Sequence, residues 1–137
     1  MANTDKKRCK CCGKTFKGRR ETLYCSCACF GRYQYEQRIY QWLSGELVSE
    51  KEQLPLYIRR YLFEKHNSSC SLCGWSKENP VTKLVPLTVN HIDGDATNNK
   101  PDNVELICPN CHSLTPTYGS LNNGKGRINR VGSRKHK

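Results

Sequence analysis

The stretch Cys108-Pro109-Asn110-Cys111-His112 decides how the second half of this chain folds. Its two cysteines have the spacing of a zinc knuckle, and Cys70-Ser71-Leu72-Cys73-Gly74 supplies a second pair with the same spacing. A structural zinc site is closed by four ligands in a tetrahedron, so these four cysteines fill one site and leave His112 over. Neighbouring residues lie about 100° apart around a helix axis, so we expect His112 to face a second site. A Cys3His zinc site that includes His112 is the competing assignment, but it would leave one cysteine idle.

Length and composition indicate a small protein that depends on metal for stability. A chain of 137 residues forms one small domain with room for a satellite, and burial alone gives such a domain limited stability. Residues 1–8 contain no apolar segment of the kind found in secretory signals. No apolar run approaches the length of a membrane span. We therefore expect the paired cysteines, among ten in all, to bind zinc in a reducing cytoplasm rather than to form disulfides.

Both ends of the chain are strongly cationic, within a net charge of +11. Residues 6–20 contain eight Lys or Arg side chains and residues 125–137 contain six, with no acidic residue in either segment. Such arms bind phosphates without reading sequence, although one arm alone would equally suit a solvated tail. Two arms around zinc knuckles favour nucleic acid as the partner. The side chains predicted to contact it are Arg19, Arg20, Lys125, Arg127 and Arg130.

Residues 1–31 are predicted to form a basic arm and a zinc ribbon. Cys9-x-x-Cys12-Gly13 is a knuckle whose glycine lets backbone amides turn toward the thiolates. Together with Tyr24-Cys25-Ser26-Cys27-Ala28-Cys29 it resembles the small zinc ribbons that read C-x-x-C-G-K-x-F and then Y-C-S-x-x-C. That resemblance implies the ligands Cys9, Cys12, Cys25 and Cys29. A ligand set that uses Cys11 or Cys27 is the alternative, and a redox or disulfide role ranks below zinc.

Residues 32–66 are predicted to be a helical connector without a catalytic group. One apolar face at helical spacing ends before Ser44-Gly45 and contains Tyr35, Ile39, Trp42 and Leu43. Pro55 is suited to open a second helix, because a proline in the first turn sacrifices no hydrogen bond. The apolar face of that helix contains Leu54, Ile58, Tyr61 and Leu62.

Residues 67–124 are predicted to hold the chemistry, followed by a basic tail at 125–137. Val85, Leu87 and Val89 alternate as in a strand. A polar loop at 93–101 precedes a second strand that includes Val104 and Leu106. A short helix then begins near Pro109.

The third part resembles the HNH endonucleases, and most closely the small zinc-containing members found in phages and as free-standing homing enzymes. The resemblance is densest from residue 70 to about 124. It is carried by Asn90-His91-Ile92-Asp93-Gly94, by Asn98-Asn99, and by the continuous stretch at 102–115 that contains Asn103 and ends in Cys108-Pro109-Asn110-Cys111-His112-Ser113-Leu114-Thr115. It implies a small zinc-stabilised α+β fold: a treble-clef-like ββα-metal module, preceded here by the zinc ribbon and two helices. The zinc held by Cys70, Cys73, Cys108 and Cys111 would be structural.

The resemblance also implies a function, which is metal-dependent hydrolysis of DNA phosphodiester bonds with one strand nicked per active site. His91 matches the general base, and a neutral imidazole can take a proton from water near physiological pH. His112 matches a ligand of the catalytic divalent ion, which would be Mg²⁺, Mn²⁺ or another divalent ion. Asn103 matches the central asparagine, whose amide would pin the loop that aims His91.

Asn90 is the one departure from the family pattern. It occupies the position of a second metal ligand, where the family most often has Asp or His. A neutral carbonyl oxygen can bind a hard cation, but it brings no negative charge. We therefore expect weaker binding of the catalytic metal unless another group compensates.

Two other functions are compatible with the residues. Loss of charge at Asn90 could leave a zinc-containing DNA-binding protein with a degenerate active site. The zinc scaffold could instead serve as an adaptor that docks on a phage packaging protein. The sequence does not specify the oligomeric state, and a monomer is compatible with it.

Overall fold

Two antiparallel hairpins and three helices organise residues 6–123, the part of the chain that this computed structural model describes. In the first hairpin β1 (Lys6–Arg8) pairs with β2 (Thr15–Lys17). In the second, β3 (Thr88–His91) pairs with β4 (Val104–Ile107). The helices are α1 (Cys27–Leu43), α2 (Leu56–Lys65) and the short α3 (Pro109–Ser113), and a 3-10 turn follows at Gly119–Asn122. With its two four-cysteine groups, this architecture confirms the predicted small α+β class.

Helix α1 begins earlier than the sequence suggested. It starts at Cys27, so the expected boundary at residue 31 falls inside the helix. Ser26 is the N-cap, and its hydroxyl accepts a hydrogen bond from the backbone N–H of Cys29 at 3.2 Å, as serine commonly does at helix starts. The N-terminal cysteines and the connector helix are therefore continuous.

The apolar faces of α1 and α2 are close to those predicted, with two errors, the first being that α2 begins at Leu56 after the N-cap Pro55, so that Leu54 precedes the helix. Trp42, Ile58 and Leu62 are buried as expected, but Leu43 is 47% exposed. Leu43 is the last residue of α1 and lies about 100° around the helix axis from the buried Trp42, on the exposed side of the helix. No helix within residues 6–123 is long and apolar enough to cross a membrane.

The connector helices and the second hairpin share one hydrophobic core. Trp42 from α1 and Ile58 from α2 are buried in the same cluster as Leu106 from β4. Two of the cysteines, Cys70 and Cys108, also belong to this cluster. Residues 32–66 thus pack directly against the second hairpin, which fixes α1 and α2 relative to the residues that follow β3.

We predict that the core substitution Ile58→Ala destabilises the whole fold. Ile58 is 0% exposed, and truncating a buried Ile to Ala typically costs about 2–5 kcal/mol. The measurement is the thermal midpoint and urea midpoint by circular dichroism at constant metal content. Leu56→Ala, in the same helix but 82% exposed, is the matched control and should change stability by about 0.5 kcal/mol or less. Equal losses in the two variants would contradict the shared core.

Candidate active site and metal centres

Four cysteines around the second hairpin form one cluster. The sulfur atoms of Cys70, Cys73, Cys108 and Cys111 all lie within 4.8 Å of one another. The first pair lies in a tight turn that is closed by a hydrogen bond from the Gly74 amide to the Cys70 carbonyl at 2.9 Å. The second pair opens α3, where Cys108 is the N-cap and its Sγ accepts from the Cys111 amide at 3.4 Å. The cluster could hold one metal ion, and it joins the turn to the helix.

The protonation of this cluster favours a bound cation. Burial raises the pKa of Cys70, but hydrogen bonds from the backbone amides of Cys108, Cys73 and Leu72 outweigh it and lower the pKa to about 6. In contrast, side-chain contact with Cys73, followed by burial, raises the pKa of Cys111 to about 12. Without a cation, thiolates this close together repel one another. A divalent metal removes that conflict, because it binds the deprotonated form of each ligand.

The N-terminal cysteines repeat the same arrangement. The sulfur atoms of Cys9, Cys12, Cys25 and Cys29 form the second group within 4.8 Å. These are the four that the ribbon resemblance implies. Burial raises the pKa of Cys9, but the amides of Cys12, Cys25 and Cys11 lower it to about 6. The two alternative ligands, Cys11 and Cys27, are not members of the group.

His112 lies on α3 outside the cysteine cluster. Its ring packs edge-on against Tyr118, with ring centroids 5.2 Å apart and an interplanar angle of 88°. Four cysteine sulfurs already complete the neighbouring group, so the competing Cys3His arrangement is not formed. The imidazole of His112 is half-buried, and α3 packs against β3, the strand that ends in His91.

The imidazole of His91 is held by a buried asparagine. His91 Nε2 lies 2.8 Å from Asn99 Oδ1. The Asn99 amide nitrogen donates to the backbone carbonyls of Ser49 and Lys51, each at 2.9 Å. Both amide hydrogens are therefore directed at carbonyl oxygens, which fixes Oδ1 toward the imidazole. An oxygen in that position can only accept, so Nε2 carries the proton and Nδ1 is the basic nitrogen of neutral His91.

Asn99 is a site residue that the sequence did not single out. It occurs in the Asn98-Asn99 pair, but nothing in a polar loop distinguishes a buried amide from an exposed one. Asn99 is 1% exposed, and its partners Ser49 and Lys51 are about 50 positions away in the chain. Only the packing of the connector against the loop reveals it.

Asn103 closes the loop that follows His91. Its Oδ1 accepts from the Asp93 amide at 3.1 Å, while its Nδ2 donates to Asp93 Oδ1 at 2.9 Å and to the Asn98 carbonyl at 2.8 Å. Burial raises the pKa of Asp93, but hydrogen bonds from Asn98, the Asp95 amide and Asn103 lower it below its ordinary value. Asp93 is therefore an ionised acceptor inside the loop.

Asp95 is also engaged inside this loop. Its Oδ1 accepts from the Thr97 hydroxyl at 2.7 Å and from the Thr97 amide at 2.9 Å. These bonds hold the pKa of Asp95 below its ordinary value. The two carboxylates nearest to His91 in sequence thus both form hydrogen bonds within the loop.

Asn90 is paired across the hairpin with a carboxylate. It is 7% exposed, and its Nδ2 donates to Glu105 Oε1 at 2.9 Å. Asn90 and Glu105 are direct partners in the register of β3 and β4. Since the Asn90 nitrogen is committed to Glu105, the side-chain atom left for a metal is its carbonyl oxygen. Sequence reasoning missed Glu105, because the pairing register was needed to place it.

The predicted DNA-contacting residues are only partly described. Arg19 and Arg20 are exposed in the turn after β2. Lys7 Nζ donates to the backbone carbonyls of both, at 2.7 Å for Arg19, so the turn is tied to β1 by their main chain. Lys125, Arg127 and Arg130 lie outside the described residues.

Comparison with known proteins identifies the second half of the chain. Residues 70–115 match the family model described as HNH endonuclease. These residues form an HNH endonuclease domain. A 57-residue segment, 42% of this chain, is 46% identical to "H-N-H endonuclease F-TflIV" of Escherichia phage T5, of which it spans 23%. No solved structure matches the chain. The HNH domain contains the second cysteine cluster, His91, Asn103 and His112, whereas the first cluster, α1 and α2 precede it.

We predict that each cysteine cluster binds one metal ion. Cys70→Ser should remove one ion per chain, because it deletes one of the four sulfurs of its cluster at a buried residue, while the parent should hold two. Metal content is measured by mass spectrometry on purified protein. Cys27→Ser is the matched control, since Cys27 is exposed and outside both groups, and it should keep two ions. Equal loss of metal in both variants would contradict the assignment.

Proposed function

We propose that the protein is a metal-dependent DNA endonuclease that hydrolyses phosphodiester bonds and nicks one strand per active site, with His91 as general base. The observation that carries this proposal is the contact of His91 Nε2 with the fixed Asn99 oxygen. It leaves Nδ1 of a neutral imidazole as the basic atom, within a domain of the HNH family. The named activity of the phage relative supports the same reaction class.

In this mechanism His91 Nδ1 removes a proton from a water molecule that attacks the phosphorus. The resulting imidazolium keeps its Nε2–H bond to Asn99, so the charge that develops on the ring is already hydrogen-bonded. Asn103 keeps the loop after His91 closed through its bonds to Asp93 and the Asn98 carbonyl. The base is thus oriented before substrate binds.

His112 and the carbonyl oxygen of Asn90 are the proposed protein ligands of the catalytic divalent ion, Mg²⁺ or Mn²⁺. The donor set suits such an ion, since His112 lies outside the cysteine cluster and the Asn90 nitrogen is occupied by Glu105. When bound, the ion would polarise the scissile phosphate and stabilise charge on the leaving 3′ oxygen. We propose structural Zn²⁺ for both cysteine clusters, because four thiolates suit that ion.

The N-terminal hairpin is the proposed binding surface for double-stranded DNA. Arg19 and Arg20 are exposed beside the cationic strands β1 and β2, and such side chains neutralise backbone phosphates. The C-terminal contacts at Lys125, Arg127 and Arg130, the cytoplasmic location and a phage or homing role stay predictions.

A second candidate function is DNA binding without cleavage. Asn90 favours it, since this buried amide lies where the family most often has Asp or His and is already hydrogen-bonded to Glu105. If the catalytic ion were held only weakly, the protein would bind DNA through its zinc-stabilised fold without cleaving it. The packaging-adaptor role has no described contact in its favour and also stays a prediction.

We predict that His91→Ala lowers the rate of plasmid nicking by about 10²–10⁴-fold, because it removes the general base. The measurement is the conversion of supercoiled to relaxed plasmid in the presence of Mg²⁺ or Mn²⁺. The metal bound to the cysteines is quantified before and after treatment with a chelator, so that loss of structural metal is recognised. His66→Ala is the matched control, because His66 is the C-cap of α2 and lies outside the matched residues 70–115. Nicking by His91→Ala at the parent rate would exclude His91 as base. Absence of nicking in the parent with every divalent ion tried would favour the binding protein.

We predict that Asn90→Asp makes the protein more responsive to divalent ions. The variant places a carboxylate directly opposite Glu105, and like charges facing each other across strands are destabilising. The melting temperature should therefore fall without added ion and rise more than that of the parent when Mg²⁺ or Mn²⁺ is added. Asn90→Ala, which loses the hydrogen bond without adding charge, should show no such gain. An ion-induced rise equal in all three proteins would argue against a metal at Asn90.

A further inference from the structure

The Asn99 amide joins two parts of the chain that the family comparison separates. Asn99 and His91 lie within the HNH domain at 70–115, as does Thr97, whose carbonyl accepts from Asn99 Nδ2 at 3.4 Å, but three further partners of Asn99 lie outside it. The Trp42 indole Nε1–H donates to the Asn99 backbone carbonyl at 2.7 Å. The Asn99 side chain donates to the carbonyls of Ser49 and Lys51. All three partners lie in or just after α1.

We propose that Asn99 is a positioning residue for His91, and that Trp42 and residues 49–51 of the preceding connector hold Asn99 in place. The connector then contributes to the geometry of the active site and does more than link the two cysteine clusters. Asn99 sets which imidazole nitrogen carries the proton, and Trp42 sets where Asn99 lies. The kinetic half of this inference rests on the proposed endonuclease function, whereas the tautomer of His91 is measured without DNA.

The network around Asn99 is buried, so the polar atoms of its side chain depend on protein partners for their hydrogen bonds. Trp42 and Asn99 are each 1% exposed, and a buried amide left without partners is costly. Every polar atom of the Asn99 side chain has a partner: Oδ1 has the imidazole, and Nδ2 has the carbonyls of Ser49 and Lys51, with that of Thr97 at 3.4 Å. If the imidazole rotated away, the buried Oδ1 would lose its hydrogen-bond donor, which is costly. The contact with Asn99 therefore favours the observed orientation of the ring.

Asn99→Ala and Asn99→Asp separate the two roles of the amide. Alanine removes the acceptor for His91 and both donors, whereas aspartate keeps an acceptor oxygen but loses the donors to Ser49 and Lys51. The tautomer of ¹⁵N-labelled His91 is read by long-range ¹H–¹⁵N correlation at about two pH units above the ordinary histidine pKa. We expect Nε2–H in the parent and in Asn99→Asp, and a mixture with Nδ1–H in Asn99→Ala. Retention of the parent tautomer in folded Asn99→Ala would overturn the proposal.

Nicking kinetics provide the second readout. Asn99→Ala should lower kcat by about 10–100-fold, as loss of an orienting group does, while KM and the affinity for uncleaved DNA stay unchanged. A folding defect alone would instead lower the melting temperature and the active fraction without altering the imidazole spectrum. If the parent itself does not nick DNA, the proposed function fails, and the tautomer still decides whether Asn99 orients His91.

The two tryptophans of the chain offer a matched pair for the connector. Trp42→Phe keeps a buried ring but removes the donor to the Asn99 carbonyl. Trp75→Phe makes the same change at a residue that is 37% exposed. We expect only Trp42→Phe to lower kcat and to broaden or shift the His91 imidazole signals. Equal behaviour of the two variants, both folded, would overturn the role of the connector.

Discussion

The sulfur cluster of Cys70, Cys73, Cys108 and Cys111 is the constraint on which the HNH domain depends. It joins a turn before the second hairpin to the first turn of a five-residue helix, α3. A helix that short has little stability of its own in water. Because Cys108 caps α3 and Cys111 lies within it, the cluster both starts the helix and holds it against β3. His112 is the next residue, so its position follows from the sulfur geometry.

Asparagine amides build the rest of the site. The buried polar residues among those described are Asn90, Asn99 and Asn103, and each engages a different part of the hairpin. Asn103 closes the loop, Asn99 holds the imidazole, and Asn90 pairs with Glu105 across the strands. An amide both donates and accepts, so one side chain can satisfy a carbonyl on one side and orient a group on the other. Buried polar groups that are fully paired in this way specify one arrangement.

The two halves of the chain each contain a four-cysteine cluster at the start of a helix, but the two helices have different roles. In each, a knuckle with a positive-φ glycine, Gly13 or Gly74, presents two cysteines to a second pair at the start of a helix. In the first half the helix is long and leads into the core through Trp42. In the second half it is short and presents His112. The long helix thereby brings its own C-terminal end, and residues 49–51 after it, to the loop that follows His91.

The sequence by itself determined the features that depend on local spacing. The paired cysteines, the alternation before His91, the short helix at Pro109 and the membership of residues 70–115 in the HNH family all follow from residues close together in the chain. Its errors were also local: α1 begins at Cys27 because Ser26 caps it, Leu54 precedes α2, and Leu43 lies on the exposed side of α1. Only the tertiary structure decided that Asn99 faces His91, that Glu105 faces Asn90 and that the connector contacts the loop between β3 and β4. Those contacts join residues between 8 and 57 positions apart, and they depend on pairing register and core packing, which no local pattern encodes.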